Sequence, residues 1–209
     1  MWSYLIRGAL LGGAAAIQPG PFQAYLLAQT LVRGWHRSVM VAFAPLVSDG
    51  PILVVVLIVL TKLPAQLLIL LQITGGGFLL YLAWNAYKIL KSRETTVSIE
   101  PESSQKSIVK AALVNLLNPN PYIFWATISG PIVIEGWRHD PRFGLAFLFG
   151  FYGLMICGLI GLITMFAAAK RIDPRVNNGL LAASFAALSL FGLYQLWTGL
   201  SDLISILSQ

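Results

Sequence analysis

The amino-acid sequence predicts an all-α membrane protein of six transmembrane helices, arranged as two inverted three-helix repeats with helices 1 and 4 broken at proline motifs. The first observation behind this fold class is composition. Hydrophobic residues make up 57% of the chain and charged residues only 11%, whereas a soluble domain carries about 25% charged residues. The second observation is a series of long apolar stretches between short polar loops, and the third is a proline motif that occurs once in each half.

The first predicted span covers residues 2–32 and is too long for one straight helix across a bilayer. Its 31 residues would measure about 46 Å at the helical rise of 1.5 Å per residue, against roughly 30 Å of hydrocarbon. Proline lacks an N–H and clashes with the preceding helical turn. We therefore expect a break at Gln18, Pro19, Gly20 and Pro21.

Five further apolar stretches are each long enough to cross the hydrocarbon layer, which takes about 20 helical residues. None of them has the polar face that a helix of a soluble bundle needs. One stretch contains a single charged residue, Asp49, and the other four contain none. The five stretches are 39–61, 67–87, 111–134, 143–169 and 179–201.

The longest polar stretch, residues 92–107, is typical of a flexible linker. It separates a first repeat, 1–91, from a second repeat, 108–209, within one integral membrane domain. Ten basic residues lie on the linker side of the membrane and four on the opposite side. Since short cytoplasmic loops carry the excess of Lys and Arg, the linker is predicted to be cytoplasmic and both termini to lie outside.

The two halves contain similar motifs in the same order. Pro19-Gly20-Pro21 is followed by Pro119-Asn120-Pro121 at an offset of 100, and Gly34-Trp35 by Gly136-Trp137 at an offset of 102. Each half has three spans, so the second half must enter the membrane in the opposite orientation. This is the inverted-repeat plan of many secondary transporters, and it predicts a second break in helix 4.

Interrupted hydrophobic segments at matching places in two halves indicate a transporter's binding site. A half-helix N-terminus suits a carboxylate, and unwound carbonyls suit an ammonium group, so a zwitterionic amino acid would use both. Prolines that only kink helices for packing are the alternative. The candidate substrate or ion pathway comprises Gln18, Pro19, Gly20, Pro21, Asp49, Asn115, Asn118, Pro119, Asn120 and Pro121.

Asp49 is the only acidic residue deep within a predicted span. A carboxylate at mid-membrane costs at least about 2.5–3.5 kcal/mol on insertion scales, which indicates a function. Two roles are open: Asp49 binds a cationic group of the substrate, or it carries a proton that drives transport. Because Gly50 and Pro51 follow, we also expect the helix to be disturbed there. The alternative to a functional role is that Ser48 or Asp49 caps a restarted helix.

The three asparagines of the fourth span, Asn115, Asn118 and Asn120, either bind the substrate or bridge helices. Enzyme chemistry has little support in the sequence. His36 and His139 have no partner at metal-ligand spacing, and the single cysteine, Cys157, cannot form a metal or redox pair. We therefore predict no metal and no cofactor. We also predict no nucleic-acid partner, because the cytoplasmic loops of a membrane protein account for the excess of basic residues.

With these residues in view, the chain resembles the lysine exporter (LysE/RhtB-type) family of amino acid exporters over nearly its whole length. The likeness is carried by Pro19-Gly20-Pro21, Asp49, the stretch 75–84 and Asn118-Pro119. The resemblance implies six spans in the bacterial inner membrane and a bundle able to form a homodimer. It also implies efflux of amino acids driven by the proton gradient or the membrane potential.

The sequence departs from the family pattern at positions near the predicted site. Met40, Ala44 and Ser48 stand where the family tends to have glycines, and Asn120 stands where a lysine commonly follows the asparagine-proline pair. The missing positive charge favours neutral amino acids as substrates. A non-transporting membrane scaffold subunit and a cation or metal-ion transporter of the same superfamily are the alternatives.

Overall fold

The computed structural model describes residues 1–59, 65–92, 104–172 and 174–207, and these residues are almost entirely helical, without a strand. The predicted all-α class is therefore confirmed. Residues 93–103 of the predicted linker lie outside the described residues. The end of that linker is corrected, because residues 104–107 already belong to a helix.

The first predicted span is broken where expected. Helix α1 comprises Trp2–Ile17 and helix α2 comprises Pro21–Arg33. Gly20 precedes α2 in an extended conformation, with φ −171° and ψ 179°, and Pro21 is the first helical residue. Proline suits this position because the first N–H of a helix has no intrahelical acceptor.

The second span begins at Gly34, whose φ of 79° lies in the left-handed region that favours glycine. Helix α3 comprises Trp35–Ser38, a 3₁₀ segment covers Val39–Phe43, and helix α4 comprises Ala44–Val59. The expected disturbance at Gly50 and Pro51 is wrong, since α4 continues through Pro51. The irregular backbone lies one turn before Ser48, and a proline inside a membrane helix is tolerated where neighbouring groups satisfy the freed carbonyl.

The expected helix cap at Ser48 or Asp49 is wrong for the same reason, because both residues lie inside α4. The Ser48 hydroxyl donates to the carbonyl of Ala44 at 3.2 Å. This bond to the preceding turn is the usual one for a serine within a helix. Asp49 therefore does not end or begin a helix, and its side chain is available for other partners.

The rest of the described chain repeats the pattern of a broken span followed by long helices. Helix α6 ends at Leu116, Leu117 and Asn118 form the second predicted break, and α7 begins at Pro119. A π-helical segment separates α7 from α8. The remaining bounds are α5 Ala65–Ser92, α6 Ser104–Leu116, α7 Pro119–Phe124, the π segment Trp125–Ser129, α8 Gly130–His139, α9 Pro141–Ile172 and α10 Pro174–Leu207.

Four helical stretches in the described ranges are long and apolar enough to cross a membrane: Trp35–Val56, Ile69–Lys88, Pro141–Ala169 and Asn178–Ile206. The predicted first and fourth spans are built differently. Helices α1 and α2 have 16 and 13 residues, and α6 has 13, each shorter than the roughly 20 residues of a full crossing.

Helices α1 and α9 run parallel and are packed at close range. Tyr4 stacks on Phe143 with ring centroids 5.5 Å apart, and about two turns later Gly12 lies against the backbone of Phe151. A Cβ on Gly12 would collide with the Phe151 carbonyl oxygen. The small glycine therefore lets α9 pass next to the end of α1, and this contact places Phe151 beside the first break.

Helices α5 and α10 run antiparallel. Tyr87 packs on Phe185 with ring centroids 5.6 Å apart, and Gly76 lies against Gly192 further along the pair. A Cβ on Gly76 would come within 2.8 Å of the Gly192 carbonyl oxygen. Close approach of backbones at small residues is the usual way in which membrane helices associate.

Candidate functional site

The two helix breaks open into one cavity of about 110 Å³. Its volume is of the same order as the roughly 150 Å³ of a cavity that holds benzene. Nine of the ten residues predicted for the pathway line it, and Pro119, which is buried at the start of α7, does not. The nine are Gln18, Pro19, Gly20, Pro21, Asp49, Asn115, Asn118, Asn120 and Pro121.

Asp49 is the only charged side chain among the described residues that line this cavity. Only 4% of its surface is exposed, so the carboxylate depends on protein donors. Asn115 Nδ2 donates to Oδ1 at 2.8 Å, and the hydroxyl of Tyr152 donates to Oδ2 at 3.1 Å. Trp125 is a near neighbour of Asp49 and lines the same cavity. A buried carboxylate held in this way remains able to bind a cationic group from the cavity.

Asn115 is fixed by two contacts to the same helix. Its amide nitrogen also donates to the Ser48 hydroxyl, at 2.7 Å. Both acceptors belong to α4. One side chain of α6 therefore connects the broken fourth span to α4, the helix that carries Asp49. Of the two predicted roles, Asn115 performs the bridging one and also lines the cavity.

The first break presents backbone donors to the cavity. The first regular bond of α2 runs from the Ala24 N–H to the Gly20 carbonyl at 3.0 Å. The N–H groups of Phe22 and Gln23 precede it and have no intrahelical acceptor, and no side chain caps this end. Both residues line the cavity. This end of α2 therefore has the partial positive charge that attracts an anionic group.

The second break differs, which corrects the expectation that both half-helix N-termini offer donors. Pro119 and Pro121 have no N–H, and the Asn120 N–H already donates to the side chain of Asn118 at 3.1 Å. Gln195 of α10 donates to the same Asn118 oxygen at 3.4 Å. Asn118 is therefore a helix cap and a bridge between helices, whereas Asn120 is exposed and lines the cavity.

Carbonyl groups at the two breaks are satisfied by side chains that follow them. Gln23 Nε2 donates to the Ala15 and Ala16 carbonyls at 3.1 Å and 3.2 Å, and the hydroxyl of Tyr122 donates to the Leu116 carbonyl at 2.9 Å. Ala16 and Leu116 are 100 residues apart, as are the two proline motifs. Equivalent carbonyls thus accept hydrogen bonds from different side chains.

Several residues of the site were missed by the sequence analysis. Apart from Asp49, the wall opposite the breaks is largely apolar, and Phe151, Met155 and Leu159 follow one another at helical spacing on α9. Tyr152 and Trp125, the neighbours of Asp49, were also missed. The available signals were a tyrosine inside a charge-free stretch and a tryptophan far from the ends of a span.

Comparison with known proteins shows the family of this chain. A family model described as LysE type translocator matches residues 14–196. The arginine exporter protein ArgO of Pectobacterium atrosepticum is 30% identical over 138 residues, which are 63% of this chain and 67% of that protein. ArgO of Pectobacterium carotovorum subsp. carotovorum is 29% identical over 138 residues, with the same coverage. No solved structure matches. Since the family match spans most of the chain, this protein belongs to the family of LysE type translocators.

Proposed function

We propose that this protein exports amino acids, with a preference for neutral ones, across the bacterial cytoplasmic membrane, and that the proton gradient drives it. The observation that carries the proposal is the position of Asp49, a buried carboxylate in the wall of a cavity that lies between two helix breaks. Family membership supports amino acid export. The cavity supplies the chemistry for recognising the part that all amino acids share.

A zwitterionic substrate fits the two polar ends of the cavity. Its ammonium group would pair with Asp49, and its carboxylate would accept from the N–H groups of Phe22 and Gln23 at the start of α2. Preorganised donors of this kind bind anions without a basic side chain. The ammonium and carboxylate groups that all amino acids share thus each have a partner in the cavity.

The apolar wall supports the preference for neutral substrates. Phe124, Phe151, Met155 and Leu159 line the cavity and leave a second charge on the substrate without a partner. An unpaired charge in such surroundings is costly. Arginine is the second candidate, because both relatives described above are arginine exporters by name and Asp49 has no basic neighbour in the cavity lining.

Six spans in two inverted repeats form the framework of the proposal. The parallel pair α1 and α9 and the antiparallel pair α5 and α10 support the six spans. Six spans that alternate in direction place helices 1 and 5 parallel and helices 3 and 6 antiparallel. The equivalent carbonyl caps at Ala16 and Leu116 support the two repeats. By the distribution of basic residues, both termini lie outside.

In the proposed cycle, Asp49 is alternately occupied by the substrate ammonium and by a proton. The substrate leaves on the external side, where the carboxylate takes up a proton, and the protonated carrier returns to the cytoplasmic side. Competition for one carboxylate couples the two fluxes without a second acidic group. The two roles predicted for Asp49, cation binding and proton carriage, then become successive states of one residue.

Efflux from proteoliposomes tests the proposal. Vesicles with purified protein are preloaded with one labelled amino acid at a time, including leucine, threonine and arginine, and efflux is followed with and without an imposed proton gradient. We expect a neutral amino acid to leave at least about tenfold faster than arginine, because arginine adds an uncompensated charge. Selective efflux of arginine would support the second candidate, and no efflux of any amino acid from folded protein would contradict export.

A further inference from the structure

Tyr152 contacts Asp49 from outside the cavity. Its hydroxyl lies 3.1 Å from Oδ2, yet Tyr152 is absent from the cavity lining, whereas its neighbour Phe151 is part of it. Asn115 holds the other carboxylate oxygen, Oδ1. The carboxylate of Asp49 therefore separates the cavity from the tyrosine hydroxyl.

The described partners of Asp49 differ in the protonation states that they can accommodate. The two hydrogens of Asn115 Nδ2 are directed to Ser48 and to Asp49, and the indole of Trp125 is a donor only. Both suit an ionised carboxylate. A tyrosine hydroxyl is both a donor and an acceptor. Among these three side chains, only Tyr152 can donate to the ionised carboxylate and also accept from the O–H of the protonated acid.

Titratable groups near Asp49 are few. The described side chains that hydrogen-bond its carboxylate from other helices are Asn115 of α6 and Tyr152 of α9. Of these only Tyr152 is titratable, and it faces Asp49 directly. The cavity lining that the structure describes has no charged side chain besides Asp49, so a proton on Asp49 has no other charged group of the site as its partner.

The two residues also correspond within the repeat. Asp49-Gly50 and Tyr152-Gly153 are 103 residues apart, close to the offset of 102 between the two glycine-tryptophan pairs. Each lies on the first long helix after a broken span, Asp49 on α4 and Tyr152 on α9. Counterparts from the two halves thus meet at one hydrogen bond. Movement of one half relative to the other would change the geometry of that bond.

We propose that Tyr152 is the positioning residue for proton coupling, because its hydroxyl bonds Asp49 from outside the cavity lining and can accept a hydrogen bond from Asp49 once that carboxylate is protonated. The inference rests on the proposed export function. When the substrate has left, a proton from the external solution adds to Oδ2, and the new O–H donates to the Tyr152 oxygen. The tyrosine keeps its own proton, and its O–H bond rotates away from Asp49. On the cytoplasmic side the proton is released, and the hydroxyl donates to the carboxylate again.

The test compares two transport modes of Tyr152→Phe in proteoliposomes. Net efflux under a proton gradient requires Asp49 to take up and release a proton in every cycle. Exchange of labelled internal for unlabelled external substrate at equal pH requires only the substrate-loaded carrier. We expect net efflux to fall at least about tenfold, the effect of losing one hydrogen bond to a charged group, and exchange to stay within about twofold of the wild type.

Tyr4→Phe is the matched control, because Tyr4 packs in the same pair of helices, α1 and α9, without touching the cavity. Both of its transport modes should remain at the wild-type level. An equal fall of net efflux and exchange in Tyr152→Phe, or no fall in either, would overturn the coupling role. Wild-type protein that transports nothing, or whose efflux ignores the proton gradient, would instead show that the proposed function is at fault.

Discussion

Asp49→Asn is expected to reduce amino acid efflux at least about 100-fold, because it removes the only negative charge that the described cavity offers to an ammonium group or a proton. The fold should survive. The asparagine oxygen can still accept from Asn115, and its amide can donate to the Tyr152 oxygen, so a hydrogen bond to each existing partner can still form. Efflux and exchange from proteoliposomes, together with the thermal midpoint of unfolding in detergent, measure the two properties separately.

Asp202→Asn is the control for this change. Asp202 is an exposed residue near the end of α10, outside the cavity lining, so the same loss of a carboxylate there should leave transport unchanged. Full activity of Asp49→Asn would contradict both roles assigned to the carboxylate. Loss of activity accompanied by an equal loss of folded protein would reduce Asp49 to a structural residue.

Gly75→Ala is expected to destabilise the protein and to abolish transport. A Cβ at Gly75 would collide with the carbonyl oxygen of Leu117 in the second break, and would come within 2.9 Å of Gln195 Oε1. Overpacking of this kind costs about 1–3 kcal/mol, and here the displaced atoms belong to backbone beside the cavity. The thermal midpoint of unfolding and the efflux rate should therefore fall together.

Gly77→Ala provides the comparison within the same run of three glycines. No atom lies within 4 Å of the position that its Cβ would take. Alanine is also the better helix former by about 0.8–1.0 kcal/mol, so neither stability nor transport should decrease. If both variants behaved alike, the close contact of α5 with the second break would not be the reason for the glycine.

Local chemistry explains why the breaks were predictable from the sequence. Each break holds two prolines two residues apart, Pro19 and Pro21 in one and Pro119 and Pro121 in the other, and proline lacks an N–H and clashes with the preceding helical turn. Burial of Asp49 could be predicted on similar grounds, because its position in a span and the cost of a membrane carboxylate are local facts. These residues could be identified before any tertiary contact was known.

The details of hydrogen bonding could not be predicted in the same way. Gln23 and Tyr122 cap equivalent carbonyls with different chemistry, so no shared residue type marks the role. Asn118 uses its side chain to cap Asn120, which removes the donors that a helix N-terminus normally offers. Tyr152 lies 103 residues from Asp49, and only the tertiary fold brings the two side chains within hydrogen-bond distance.

The 3₁₀ segment shows how tertiary structure overrides a local signal. The Gly50-Pro51 pair predicts a disturbed helix, but α4 is regular there, and the irregular backbone lies at 39–43. A helix inside a bundle continues through proline if neighbouring helices or side chains compensate the lost bond. Asp49 therefore lies within a continuous helix. This suits a residue that must keep one geometry while its partner changes from an ammonium group to a proton.

The central claim is that amino acids occupy the cavity between the two breaks. Thiol labelling of Ala15→Cys, in a chain whose exposed Cys157 is replaced by alanine, tests it directly, because Ala15 lines the cavity and its change adds little volume. We predict that a small water-soluble thiol reagent modifies this cysteine, and that the transported amino acid slows the modification in a saturable manner. Labelling that is unaffected by any amino acid the protein transports would contradict the claim.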